Sequence, residues 1–212
     1  MKSWLRNTFT SGLLFGFLAI IPGCEIFCTD SCGCGPTTPP KSVEIRSFEV
    51  LTLSSDNKEV NPSETKPFDQ VVKAFRINEF NLVSELPGEL GFHWGLGTAL
   101  ACSPAPLSSK EKLIDLQVIN TKEVQLGDGT TLQAGQDITE LFGFKNFFQS
   151  QLISLSEFLK EPQFLYLGEF ITTGFMMDPG KNIDLELDFI LKLEKGKEFL
   201  IPKEVLKIGP KN

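Results

Sequence analysis

Residues 182–201 read NIDLELDFILKLEKGKEFLI, and this run constrains the fold more than any other. Ile183, Leu185, Leu187, Phe189, Leu191 and Leu193 fall on one face at a spacing of two. Asp184, Glu186, Asp188 and Lys192 fall on the other. A strand turns successive side chains to opposite faces, so the pattern predicts one long strand with a buried side and a wet side. Lys195 and Gly196 supply a tight turn, and Glu198 to Ile201 form the return. Pro202 is expected to close it, because proline cannot donate to an inner ladder.

The same reading extends along the chain. SVEIRSFEVLTL (42–53), VVKAFRI (71–77), TALAC (98–102), LIDLQVI (113–119) and FLYLGEFI (164–171) read as strands. EVQLGDGTTLQ reads as a small hairpin turning at Asp128 and Gly129. Strands this frequent, joined by Pro, Gly and Asn, predict an all-β fold, an antiparallel β-sandwich of immunoglobulin-like or related type. One stretch interrupts it. Asp137 with Glu140, and Ser154 with Glu157, each have the spacing of a capping box. The first would start a very short helix ended by Gly143, and the second a helix running to Glu161 before Pro162. Phe148, Leu152, Leu155 and Leu159 give the stretch an apolar face, so residues 137–161 are expected to form a short helical insert covering one end of the sandwich.

The N-terminus has a different composition. Lys2 and Arg6 precede an apolar stretch from Leu13 to Ile21, and Gly23 stands before Cys24. This is the layout of a secretory signal peptide, and the apolar run is too short to cross a bilayer as a helix. IIPGC resembles the lipobox of bacterial lipoproteins, which implies cleavage before Cys24 and acylation of its thiol. The expected organisation is a signal peptide at 1–23, a lipidated cysteine-rich tether at 24–41 and a β-sandwich domain at 42–212. Each buried acyl CH₂ contributes about 0.8 kcal/mol to membrane attachment. GPTTPPK, residues 35–41, reads as a stiff spacer of about 20 Å at roughly 3.1 Å per residue. The removed segment carries two of the 20 basic residues and none of the 27 acidic ones, so the mature chain has a formal charge of −9. That charge argues against nucleic acid as a partner and against purely electrostatic membrane binding.

Four cysteines remain: Cys28, Cys32, Cys34 and Cys102. An exported chain permits two disulfides, with three possible pairings. Cys32 and Cys34 are separated by one glycine, which disfavours a bridge between them. The expected arrangement joins Cys28 to Cys32 or Cys34 and the remaining cysteine to Cys102, pinning tether to domain. A four-thiolate zinc site is the competing reading, but only the Cys28–Cys32 interval has a usual zinc spacing.

Catalytic patterns are sparse. His93, in GFHWGLG, is the chain's single histidine and has no partner for a metal site and no G-x-S-x-G nucleophile to serve. Phe92 and Trp94 beside it are a candidate ligand surface, since aromatics beside flexible glycines can stack on sugars or apolar groups. Carboxylates are plentiful but show no diagnostic pairing. GDG at 127–129 lacks the further acidic ligands of a calcium loop and reads as a turn. There is no phosphate-binding or dinucleotide fingerprint, so no metal and no cofactor is expected.

The layout resembles uncharacterised lipoproteins of the Bacteroidota, through the signal peptide, the lipobox cysteine, the cysteine-containing tether, ALACSPAP around Cys102, DITELF and the terminal hairpin. The resemblance implies an envelope location, held by lipid at the outer membrane, and a β-sandwich; it brings no catalytic residues. The expected function is a non-enzymatic binding, adhesion or assembly module meeting an envelope protein or a glycan. The alternatives are a carbohydrate-active accessory protein or enzyme, and a thiolate metal protein.

Overall fold

The alternating run is a strand, and it lies at the centre of one of two sheets. The computed structural model describes residues 42–83 and 106–211. In chain order the strands are β1 (Ser42–Ser54), β2 (Lys66–Pro67), β3 (Val71–Val83), β4 (Ser108–Ser109), β5 (Leu113–Asn120), β6 (Val124–Gln125), β7 (Thr131–Leu132), β8 (Phe142–Lys145), β9 (Ile171–Phe175), β10 (Ile183–Leu193) and β11 (Glu198–Gly209). One α-helical turn, α1 (Leu155–Phe158), lies between β8 and β9.

Five strands form one sheet in the order β4-β1-β3-β9-β8, four form the second in the order β2-β11-β10-β5, and β6 and β7 make a separate hairpin. The long pairings are antiparallel, while the two-residue strands β4 and β2 add short parallel contacts to β1 and β11. The sheets pack face to face as the expected sandwich. Phe75 of β3 meets Phe189 of β10 edge-on, with ring centroids 4.9 Å apart, and Phe48 of β1 meets Phe199 of β11 at 5.0 Å. All six apolar residues of the β10 inner face are buried. Burying a side chain of this size is worth about 1.5–3 kcal/mol, which makes the strand the main contributor to the core.

Three elements depart from the expectation. Pro202 does not end its strand: β11 runs to Gly209. The register between β10 and β11 shifts after the Leu187–Glu204 pair, Lys203 takes a positive φ of 58°, and its amide donates to Asp188 Oδ1 at 2.8 Å. A bulge is one of the few places where a strand tolerates proline. Residues 164–170 are not a strand; only Ile171–Phe175 enters the sheet. The helical insert is also largely replaced. Asp137 Oδ1 accepts the Thr139 amide, but the 3-10 turn at Thr139–Leu141 has Ile138 at its N-cap and no side-chain cap, and Gly143 lies inside β8, where it admits Leu152 and Met176 so closely that a Cβ would meet their atoms at 2.7 and 2.6 Å. Ser154 does accept the Glu157 amide, yet the helix it starts is four residues long.

The inner faces also hold a charge. Lys73 is in phase with Val71, Phe75 and Ile77 and is 1% exposed. Glu204 is in phase with Leu206 and Ile208 on the facing sheet, and the Lys73 ammonium donates to its Oε2 at 2.7 Å.

The β6–β7 hairpin turns where expected. Gly129 has φ 89°, and the Thr130 amide donates to Asp128 Oδ1 at 2.8 Å. That amide holds the Asp128 carboxyl below its ordinary value. A lowered carboxyl contributes stability above the ordinary carboxylate range and loses it as pH falls through the folded value. Amide-exchange protection at Thr130, corrected for the intrinsic rate, is therefore expected to fall on acidification below about pH 4. The hairpin is fastened to the loop before β10 by the Gly127 amide, which donates to Pro179 O at 2.7 Å. A Cβ on Gly127 would lie 2.7 Å from the Gly180 backbone. Gly127→Ala is expected to cost about 1–3 kcal/mol in denaturant unfolding, as overpacking does when no flexible side chain can yield.

Candidate functional site

A cleft of about 160 Å³ opens at one end of the sandwich. Its floor is core: Phe48, Phe75, Ile77, Leu165 and Ile171. Its walls are aromatic and come from two loops, in stretches where the sequence predicts a helical insert and a strand.

The first loop leaves β8 at Asn146. Asn146 Oδ1 accepts the Phe148 amide at 3.0 Å, and Gln149 Oε1 accepts the Asn146 amide at 3.1 Å. This short turn carries Phe147 and Phe148 outward, where they are 43% and 70% exposed. Phe148 is thus not part of an apolar helix face packed on the core. The second loop, residues 161–170, is stitched down by Gln163. The Gln163 side chain donates to Phe158 O at 3.0 Å and Glu161 O at 2.7 Å and accepts from Asn146 Nδ2 at 3.2 Å, while its backbone exchanges hydrogen bonds with Leu113. Further along, the Ser109 amide donates to Leu165 O, and the Leu167 amide donates to Leu107 O. Anchored at both ends, the loop sets Phe164, Tyr166 and Phe170 around the cleft. Tyr166 lies edge-on to Phe147 and Phe148, with centroids at 5.6 and 6.1 Å.

The charged groups of the cleft differ in how they are held. Arg76 sits 5.8 Å from the Phe170 ring centroid and pairs with Glu49 at 2.6 Å. The Lys112 ammonium lies 4.7 Å from the centroid of Phe164. Glu161 and Glu169 also line the cleft, and neither carboxylate is hydrogen-bonded or ion-paired among the described residues. The cleft therefore offers ring faces and free acceptors, while its amide side chains are spent on the loops.

A wider depression of about 690 Å³ runs along β5 and is lined in part by Asp115, Gln117, Asp137, Glu140 and Met177. Most of its polar groups are engaged in the fold, although the Glu140 carboxylate has no partner among the described residues. Asp115 pairs with Lys192 at 3.0 Å and accepts from Gln117, and Asp137 accepts the Thr139 amide. It presents no exposed aromatic ring, so the aromatic cleft is the stronger candidate for a ligand.

Of the residues singled out from sequence, Cys24, Cys28, Cys32, Cys34, Phe92, His93, Trp94 and Cys102 all lie outside the described residues, as does the strand expected at 98–102. Among the described residues there is no group of three or more side chains placed to hold a metal ion, and no helix long and apolar enough to cross a membrane. The acidic side of β10 is more engaged than a solvated face requires: Glu186 accepts from Thr121 Oγ1 at 2.8 Å, Asp184 pairs with Lys207 at 3.5 Å, and Asp188 receives the bulge amide. The aromatic cleft was missed, although NFFQ at 146–149 carried a signal. Two adjacent phenylalanines cannot both face the core from a strand.

No family model and no curated protein matches the chain. Among solved structures it is similar to a chain described as BspA_C_mut, at 12% identity over 80% of this chain and 46% of the other, with a TM-score of 0.23. It is also similar to the wild-type C-terminal domain of the AgI/II polypeptide BspA of Streptococcus agalactiae, at 13% identity over 77% and 49%, with a TM-score of 0.26. The chain spans about half the length of these structures, and the sandwich described here rests on its own strands and registers.

Proposed function

We propose that this chain is a non-enzymatic binding module held at a bacterial envelope membrane by lipid on Cys24, with the aromatic cleft as its ligand site. The observation that carries the reading is the exposure of Phe147, Phe148 and Phe164 around one concavity, at 43%, 70% and 45%. Scattered apolar residues need no explanation, but several rings converging on a preformed cleft are what ligand sites are built from.

Strand pairing supports the tether. Ser42, the first residue after the Pro-rich spacer, pairs with Val83 of β3 on one side and Ser108 of β4 on the other. Cys34 lies eight residues before Ser42, and Cys102 lies six before Ser108. Extended chain spans about 3.3 Å per residue, so both cysteines can reach a common point beside this end of β1. In this reading a bridge from the tether to Cys102 reinforces the place where any pull on the lipid enters the sheet.

Tyr166 is the chain's single tyrosine, so protein labelled with 3-fluorotyrosine gives one fluorine resonance, reporting from the cleft wall. In a screen of small-molecule fragments, binders are expected to move that resonance in the native protein and not in Phe148→Ala. Binders that leave it unmoved, and that map to another surface by amide shifts, would show that the cleft is not the ligand site.

A further inference from the structure

The chemistry of the cleft selects a class of ligand, and the inference rests on the cleft being the binding site. We infer that it binds an organic ammonium cation, a trimethylammonium or lysine-type group.

The argument begins with what a neutral sugar would need. Stacking on rings is one half of sugar recognition; the other half is a set of side chains able to exchange hydrogen bonds with hydroxyls. Here the amides of Asn146 and Gln163 are consumed in holding the two loops. Arg76 is committed to Glu49. Phe147 and Phe148 stack on each other with ring centroids 3.7 Å apart, and Tyr166 lies edge-on to both, so what remains free is the outer ring surface of this cluster and the carboxylates of Glu161 and Glu169. Ring faces are negative, so both components favour positive charge, and cations within about 6 Å of an aromatic centroid are attracted to it. The protein already uses two rings of this cleft in that way, Phe170 with Arg76 and Phe164 with Lys112. Phe147, Phe148 and Tyr166 carry no such cation among the described residues. With Arg76 neutralised by Glu49, the two free carboxylates of the lining outweigh Lys112 at the Phe164 rim, and the mature chain at −9 adds a long-range field of the same sign.

The test uses the full mature chain carrying 3-fluorotyrosine and follows the Tyr166 resonance. Choline and Nα-acetyl-lysine amide are the cationic probes, 3,3-dimethyl-1-butanol is the neutral isostere of choline, and methyl glucoside is the neutral sugar. Choline or the lysine amide is expected to bind with a Kd of roughly 1–10 mM, the range of a single small group in a shallow site. The neutral isostere is expected to bind at least about tenfold more weakly. The tighter of the two cations identifies whether a quaternary headgroup or a basic side chain is the source. Phe148→Ala, at an exposed loop position, and Glu169→Gln, at a half-buried one, are each expected to weaken the cation about three- to tenfold. Equal binding of the neutral isostere, or tighter binding of methyl glucoside, would overturn the ligand class while leaving the cleft as a binding site. Failure of every probe, together with a silent fragment screen, would remove both.

Discussion

Replacing Glu204 by alanine is expected to lower the unfolding free energy by about 3 kcal/mol, because Lys73 would then hold an unpaired charge between the sheets. Lys73 is 1% exposed, and its ammonium is 2.7 Å from Glu204 Oε2. The loss lies at the lower end of the 3–5 kcal/mol typical of broken buried pairs, since the Glu204 side chain is 26% exposed and water can reach its position. The double variant Lys73→Met/Glu204→Leu is expected to recover to within about 1 kcal/mol of the native protein or to exceed it, because apolar groups of similar volume avoid the desolvation cost. Urea unfolding of the native protein, both single variants and the double variant gives the coupling directly. A Glu204→Ala protein as stable as the native one would place this pair in water rather than in the core.

Phe189→Ala is expected to be comparably severe, at about 3–5 kcal/mol. Phe189 is fully buried at the middle of β10 and meets Phe75 across the sandwich with an interplanar angle of 74°. Truncating it removes a large apolar group from water-free packing and leaves a cavity that two hydrogen-bonded sheets cannot close. A double-mutant cycle with Phe75→Leu is expected to show a coupling of about 0.5–1.5 kcal/mol, the aromatic contribution beyond burial. At about 2–4 °C per kcal/mol for a domain of this size, this substitution is expected to lower the thermal midpoint by roughly 6–20 °C.

These two sites also show how much of the fold was written in the sequence. The alternation from Ile183 to Leu193 dictated a two-faced strand, and the structure buries the face that the pattern selects. The charge between the sheets is equally legible: in VVKAFRI the lysine occupies the same phase as Val71, Phe75 and Ile77, and Glu204 shares the phase of Leu206 and Ile208. Pro202 misled because a proline rule for regular ladders was applied where a bulge had removed the ladder bond. The two capping-box patterns start no more than a 3-10 turn at Thr139–Leu141 and a single α-helical turn at Leu155–Phe158. Ser154 caps as expected, but sheet pairing of Phe142–Lys145 with β9 outweighs helix propensity over so few residues. The cleft was least legible, because it depends on Gln163 joining loops that are 17 residues apart in sequence at Asn146, and such a contact leaves no periodic trace.

The described residues form a two-sheet sandwich with a cleft, and the proposed reading adds a lipid tether before it. The sandwich is stiffened by aromatic contacts between its sheets, the first residue of β1 is paired on both sides, and a cleft with exposed rings is held open by two stitched loops. In the proposed reading the lipid supplies location and the cleft supplies recognition.

The measurement that tests this account most directly is non-reducing mass spectrometry of tryptic peptides from the membrane fraction. Trypsin should release Cys24–Lys41 as one peptide and Ile77–Lys110, containing Cys102, as another. The account predicts an acyl mass on the first peptide and a disulfide joining it to the second. A chain in the soluble fraction, with residues 1–23 still attached and all five cysteines free, would contradict it.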